Sequence, residues 1–585
     1  MSKRPSGSKK SGFRESNFRE SKAIVATPMP FEGETLLYVP VAPDVDAVRV
    51  GWCYPAEYTI SASSLGYLTL FKQLDMRRDV DVARITTDTL DRHKGKPYEL
   101  LGFSLAFELD IVEFLRSLET LGVPLFQSQR DDVTPLVFAG GPVAMTNPEP
   151  FAPFVDFYLL GEGEEMLEEL IDTLKTIRHK GLTREETLRH IATTVAGCYV
   201  PSLYEVVYQA DDGPIASITP RFEGIPAVVE KRRLSAETMA NTVATSPILT
   251  SNTIFSSTYL IEIMRGCSHR CRFCMASYAM LPARGTNADV LLSEMDRGLK
   301  HTDKLGLLGA LIADHPEFEA ICEGLHQRMD HNPNLRMNSA ALRVDGITER
   351  MVTTFMRGGQ KQLTVAIESG SENLRRRINK NLKQETIFKA MDVMAAAGLP
   401  GLKFYGMVGL PDETDADIEA TIQLLKDIKK QTPKLKLVLG CSSFVPKGGT
   451  PFQWMPREAN ATLEARFKRL TKGLLKVADF RPSSTQWDTF QAIISRGDRR
   501  MGPLLERFYR LGGSLGSLKR ADKELRGEGY RYPSLDWYGF RARLEDEVLP
   551  WDTLNLGVSK AILWKESLPP QSFGLQGSTL LPVLP

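Results

Sequence analysis

Cys267-Ser-His-Arg-Cys271-Arg-Phe-Cys274 places three thiols within eight residues, close enough on one loop to face a common centre. Iron–sulfur clusters ordinarily take four thiolates, and structural zinc takes four ligands. Three cysteines are an incomplete set, able to hold a metal centre and to leave one position open for a substrate or cofactor. That is the logic of a catalytic site. The alternative is zinc, with His269 as a fourth ligand, although zinc motifs normally spread two ligand pairs over a longer span. Cys53, Cys198, Cys322 and Cys441 stand alone and read as small buried hydrophobes. Seven cysteines in 585 residues are too few for a disulfide scaffold, so a reducing, cytoplasmic setting is expected.

The loop directly follows the first of six apolar strand patterns, at 259–264, 305–310, 335–342, 363–367, 402–408 and 435–443. Amphipathic helical stretches such as 288–300, 316–329 and 416–429 lie between them. Six β/α repeats predict an open sheet or a partial barrel with its active face at the strand carboxyl ends. An earlier series, with strands at 47–54, 81–87, 100–105, 135–139 and 156–160 and helices at 111–121 and 164–177, predicts a doubly wound parallel sheet. The fold class is thus α/β. The expected organisation is a disordered basic tail over 1–36, an α/β domain over 37–200, a connector over 201–250, the partial barrel over 251–480 and a mainly helical region over 481–585. The tail repeats Phe-Arg-Glu-Ser at 13–16 and 18–21. The basic run 496–500 reads as a solvated loop.

Lys and Arg number 73 against 72 Asp and Glu, a net charge of +1, which excludes a globally basic nucleic-acid binder. Apolar residues at 42% and charged residues at 25% are the balance of a globular protein. No stretch of about 20 apolar residues predicts a membrane span, and no apolar segment near the N-terminus predicts a secretory signal.

Cys-x3-Cys-x2-Cys, with Phe273 before the last cysteine and a place at the end of the first strand of a six-fold series, resembles the radical S-adenosylmethionine (radical SAM) superfamily. The resemblance implies a [4Fe–4S] cluster on Cys267, Cys271 and Cys274 whose fourth iron is chelated by SAM. An electron carrier such as flavodoxin or ferredoxin would reduce it. Cleavage of SAM would then yield methionine and a 5′-deoxyadenosyl radical that abstracts hydrogen. The same resemblance implies SAM contacts at the other strand ends: Gly309 for the amino group, Ser339 and Arg343 for the carboxylate, Glu368 for the ribose, Met407 and Gly409 for the adenine. The family's common Gly-Gly-Glu form is absent beside Gly309. Tyr278, His315 and Tyr405 fall near the same face.

Phe138-Ala-Gly-Gly-Pro142, Asn147-Pro-Glu-Pro150, Leu160-Gly-Glu-Gly-Glu-Glu165 and Phe444-Val-Pro-Lys447 ahead of Thr450-Pro-Phe-Gln-Trp454 resemble the cobalamin-binding-domain class of that superfamily. In those terms Gly140, Gly141, Gly161 and Gly163 would let the backbone approach a corrin ring. The family's Asp-x-His-x-x-Gly motif for a lower histidine ligand is absent, and Asp91-Arg-His93-Lys-Gly95 is one residue short of it. Gly448-Gly449 stands where a histidine often precedes Thr-Pro. Three functions stay open: methyl transfer through cobalamin to an unactivated carbon, cobalamin-free hydrogen abstraction with oxidation or rearrangement, and a non-catalytic zinc-stabilised module binding RNA. The methylthiotransferase branch fits less well, because it needs a second cysteine triad.

Overall fold

The structure is a computed structural model that describes residues 31–569. Most of the expected basic tail, and the proline-rich end beyond 569, lie outside the described residues. The first sheet has six strands: β1 (Val48–Tyr54), β2 (Val80–Thr86), β3 (Leu100–Ser104), β4 (Leu136–Gly140), β5 (Phe157–Leu159) and β6 (Cys198–Tyr199). Their order is β2-β1-β3-β4-β5-β6, with β1 to β5 parallel and β6 antiparallel. The strands read as continuous apolar runs because helices cover both faces of a parallel sheet. This order puts its topological switch between β1 and β3, where such sheets open a ligand crevice at the strand carboxyl ends.

Aromatic rings fill the sheet beneath that crevice. Trp52 lies parallel to Tyr67 with centroids 6.0 Å apart, and Phe138 is stacked on Phe157 at 5.4 Å. Gly102 makes room for them, since a Cβ there would come within 2.6 Å of Phe138. At the foot of β5, buried Asp156 accepts from Arg130 Nη1 (3.0 Å), Arg184 Nη2 (2.7 Å) and the Val137 amide (2.7 Å). One carboxylate thereby ties β4 and β5 to the helix Arg184–Thr194.

The second α/β series supplies the expected strands β7 (Tyr259–Arg265), β8 (Lys304–Gly309), β9 (Arg336–Ser339), β10 (Gln362–Glu368), β11 (Gly401–Val408) and β12 (Lys436–Ser443). A short seventh strand, β13 (Asp479–Pro482), adds in parallel to β12. Between β9 and β10 the ladder is carried by Leu342, whose amide donates to Thr364 O (2.8 Å) and whose carbonyl accepts from the Ala366 amide (3.3 Å). These strands form a partial barrel with helices outside, among them Ala288–Leu299, Phe318–His331, Gln384–Ala396 and Asp415–Gln431.

The helices Thr485–Arg496, Gly502–Arg510 and Leu515–Gly527 return to the first domain. Phe490, Ile493, Met501, Leu504 and Phe508 share one apolar core with β1 to β5. Asn147 Nδ2 donates to Ser495 O (3.1 Å) and Gly497 O (2.8 Å). Arg499 pairs with buried Glu149 (2.7 Å), which also accepts from Tyr199 OH (2.6 Å). The basic run 496–500 is therefore no solvated loop. Arg496 is 0% exposed and donates to the Gly539 and Arg541 carbonyls, and Arg500 pairs with Asp498. Among the described residues no helix is long and apolar enough to cross a membrane.

Asp156→Asn would leave the Arg130 guanidinium, wholly buried, without its countercharge. Breaking such a pair costs about 3–5 kcal/mol, so the variant is expected to show a lower apparent melting temperature by differential scanning fluorimetry.

Candidate active site

The cysteine loop leaves β7 through Gly266, whose φ of +75° and close approach to the Met280 carbonyl suit only glycine. Cys267 packs with Met264 and Ile263 in the barrel core, and Phe273 packs among Leu374, Ile378, Leu410, Phe444 and Phe452. The loop is fastened from the segment after β10. Asn379 Nδ2 donates to Arg270 O (2.9 Å) and the Arg272 amide donates to Ile378 O (3.0 Å). Tyr278 OH donates to Arg270 O (3.0 Å) and is also bonded to Glu566 (2.6 Å), from the C-terminal helix Lys560–Ser567. All three cysteines are free. Burial pushes the Cys271 thiol up to about 12, while Lys380 and Arg343 pull it down. No three His, Cys, Asp or Glu side chains among the described residues close around a metal position; the thiols share a loop rather than a finished coordination sphere. His269 closes no metal site with the cysteines among the described residues, and its Nε2 is bonded to Asp314 (2.7 Å).

The strand ends gather round this loop. Arg343, buried, turns Nη1 toward Cys271 Sγ (3.9 Å) and pairs through Nε with Asp345 (2.8 Å). Glu368 is 8% exposed, follows a register shift at the end of β10 and adopts a φ of +62°. Its carboxylate accepts from Lys380 Nζ (2.8 Å), a residue with no recognisable signal in the sequence. Arg270, Asn379, Asn381 and Asp412 also have left-handed φ, so five of the eight non-glycine residues with positive φ among the described residues crowd this end of the barrel. Such conformations persist only where the surroundings over-determine them, and they cluster at functional sites.

Met407 packs in the apolar group of Phe273, beside the loop. Gly409, with φ +83°, donates its amide to Glu413 (2.6 Å), whose carboxyl burial pushes up to about 7 against the pull of Arg466 (2.9 Å). Gly309 ends β8, where a Cβ would meet Ile312 at 2.9 Å. Ser339 ends β9 and its hydroxyl is bonded to Gln360 (3.4 Å). Gly370 serves packing: a Cβ there would lie 2.3 Å from Thr421 Cα. Both ring nitrogens of His315 are committed to backbone, at Thr286 O (2.8 Å) and the Glu317 amide (3.1 Å). Tyr405 is exposed beneath Lys403.

At the switch of the first sheet lies a cavity of about 380 Å³. Trp52, Tyr67, Gly140, Gly141, Gly161 and Gly163 line it from the first domain, and Glu262, Arg265 and Leu308 line it from the barrel. Of these four glycines only Gly140 would take a Cβ without crowding, with Leu159 O at 3.6 Å. Gly141 and Gly161 are held by close backbone approach: a Cβ would lie 2.8 Å from Leu105 O at Gly141 and 2.0 Å from Arg232 O at Gly161. The charged residues of the Gly161-Glu162-Gly163-Glu164 turn close the domain interface. Glu162 accepts from Arg284 Nη1 (3.0 Å), and Arg265 pairs with Glu164 (2.6 Å) and Glu262 (2.8 Å). Burial raises the Glu162 carboxyl, but the two arginines outweigh it and hold it low; at Glu262 burial prevails and the carboxyl is raised. His93 is outside the cavity lining, with Nδ1 bonded to Tyr98 OH (2.6 Å).

Two family models match the chain: "Radical SAM proteins, N-terminal" over residues 69–201, and "Radical SAM superfamily" over residues 261–425. The chain is 25% identical to uncharacterised protein MJ0966 of Methanocaldococcus jannaschii, over 78% of this chain and 90% of that protein. A tRNA-2-methylthio-N(6)-dimethylallyladenosine synthase of Sorangium cellulosum is 26% identical over 38% of this chain, which spans about half (52%) of that relative. Among solved structures, the cobalamin-dependent S-adenosylmethionine radical enzyme OxsB with aqua-cobalamin bound has TM-score 0.46 at 15% identity, covering 83% of this chain and 76% of that one. The radical S-adenosylmethionine methyltransferase TsrM of Kitasatospora setae, with cobalamin and a [4Fe-4S] cluster bound, has TM-score 0.46 at 12% identity, covering 83% of this chain and 100% of that one. With both domains matched and the cysteine loop at the end of the first barrel strand, the chain belongs to the radical SAM superfamily.

Proposed function

We propose that this radical SAM enzyme holds a corrinoid in its interdomain cavity and transfers a methyl group to an unactivated carbon. One observation carries this reading: the cavity lies at the switch of a flavodoxin-ordered sheet and shares a wall, Glu262 and Arg265, with the strand that leads into the cysteine loop. When bound, the cluster with SAM supplies one-electron sulfonium cleavage and the corrinoid supplies a methyl carrier.

The residues present suit the cluster and SAM. Cys267, Cys271 and Cys274 are three soft donors committed to no disulfide. Arg343 is a buried cation beside Cys271 and would meet the SAM carboxylate. Glu368, oriented by Lys380, would accept from ribose hydroxyls. Glu413 fixes the Gly409 amide and so shapes the turn against which the adenine would rest. Phe273, Met407 and Phe452 exclude water on that side. An electron carrier is the required partner. All seven cysteines being free supports a reducing, cytoplasmic setting. The second reading is cobalamin-free hydrogen abstraction, favoured by one observation: a volume of about 380 Å³ is that of a drug-sized site, and a corrinoid with its nucleotide tail is several times larger.

Protein prepared without oxygen from cells supplied with cobalamin is expected to carry about four irons and one cobalt per chain. It should form 5′-deoxyadenosine when reduced, and Cys267→Ala, Cys271→Ala and Cys274→Ala should each abolish this. Iron without cobalt would select the second reading, and zinc without iron would end both. Glu368→Gln is expected to weaken SAM binding roughly tenfold, about 1.4 kcal/mol, at unchanged iron content, by equilibrium dialysis. Glu413 binds its proton more tightly folded (about 7) than at its ordinary 4.5. The stability it contributes is therefore full below pH 4.5 and is lost as pH rises to about 7; Glu413→Gln should flatten that fall in a melting-temperature profile against pH.

A further inference from the structure

We infer that the groove between the barrel and the C-terminal helices is a docking site for a basic amphipathic helix of a partner protein. The groove holds about 1160 Å³, above the roughly 300–1,000 Å³ usual for small-molecule sites. One bank is the turn Gly409–Glu413 together with residues 455–464. The other is the start of the helix Leu515–Gly527 and the short helix Leu535–Phe540, and the helix Thr485–Arg496 runs between the banks.

Its bed is apolar. Phe490, Ile493 and Leu518 belong to the first domain's core, while Leu515, Leu535 and Phe540 line the groove only half-buried. Large apolar side chains left half-covered along one concave surface are what the apolar face of a helix fills. On the opposite bank Leu410 and Met455 belong also to the apolar group of Phe273. An occupant therefore lies against the turn that Glu413 fixes, one wall away from the cysteine loop.

The rim sets the sign of the partner. Glu464 and Asp536 are exposed on it, and among the described residues neither forms a salt bridge; Glu464 accepts from Thr485 Oγ1 (3.1 Å). Glu458 is 3.8 Å from Arg466, whose guanidinium is closer to buried Glu413 (2.9 Å). Against these carboxylates the rim carries the exposed cation Lys519. Arg457 lines the groove as well, but it is 2% exposed and turns its guanidinium inward, to Ser443 Oγ (3.1 Å), Asn460 Oδ1 (2.8 Å) and the Thr485 carbonyl (2.9 Å). The surface offered is acidic at its edge and apolar in its bed, in a chain whose net charge is +1. That combination is complementary to a helix with apolar residues at i, i+3, i+4 and i+7 and Lys or Arg flanking them. The same sign repels nucleic acid.

The test needs neither cluster nor SAM, so it stands apart from the radical SAM reading. The whole chain is titrated against a fluorescent peptide of about 14 residues, four helical turns, with Leu on one face and Lys on the other, and binding is read by fluorescence anisotropy. Saturable binding is expected. A Leu/Glu analogue, and a Leu/Lys peptide of the same composition with its leucines spread round the helix, should each bind roughly tenfold more weakly. The Glu464→Lys/Asp536→Lys double variant changes two exposed positions. It should keep the parent's melting temperature and lose affinity for the Leu/Lys peptide roughly tenfold. A parent that binds none of the peptides, or binds all three equally, overturns the proposal, as does undiminished binding by the double variant. Binding gained only after removal of residues 1–30, which hold seven Lys and Arg, also overturns it, because the chain would then fill its own groove.

Discussion

Arg265 is the last residue of β7 and stands two positions before the first cysteine of the loop. It answers to both domains, pairing with Glu262 on its own strand and with Glu164 on the first domain's glycine turn. Arg284 and Glu162 repeat the arrangement alongside. Ionised groups so far withdrawn from water depend on their partners, and losing one leaves a poorly solvated charge. The network therefore permits one register of sheet against barrel. That register sets the width of the cavity, and the same arginine sets the point from which the cysteine loop departs.

Beyond that anchor the site is built by over-determination. Glu368 occupies a backbone region that a glutamate adopts only under constraint, and Lys380, the register shift in β10 and the packing of Gly370 against the Thr421 backbone supply that constraint. Asn379, one of the neighbouring left-handed residues, holds the cysteine loop by side-chain bonds to its carbonyls. Rigidity of this kind orients polar groups before any ligand arrives.

Both sheets were legible from apolar periodicity, because strands buried on both faces leave unbroken apolar runs that local sequence displays directly. The cysteine loop was legible from spacing, and Arg343 and Glu368 from their places at strand ends. Most of what escaped has one cause: the partner is not a sequence neighbour. Lys380 looks like any helix-end lysine until Glu368 is placed against it. Glu162 and Glu164 sit in a glycine turn that suggested a ligand, whereas their partners Arg284 and Arg265 lie 122 and 101 residues away. Arg496 was read as solvated because a run of charges usually is, and nothing nearby reveals that Gly539 and Arg541 will present their carbonyls to it. The short β13 carries too few residues for any period to register.

The return of the C-terminal helices to the first sheet makes the barrel an insertion in a discontinuous domain. Asn147 meets Ser495 across 348 residues, and Phe490, Ile493 and Phe508 complete a core begun at β1. During synthesis the first sheet emerges early, yet its apolar flank has to wait until the entire barrel has been made. Closing so long a loop is modest in entropy, since that penalty grows only with the logarithm of length. The delay is kinetic: a nascent chain carries an uncovered hydrophobic face through most of its translation. Fragments ending at the barrel's close would retain the cysteines and still lack a finished first domain.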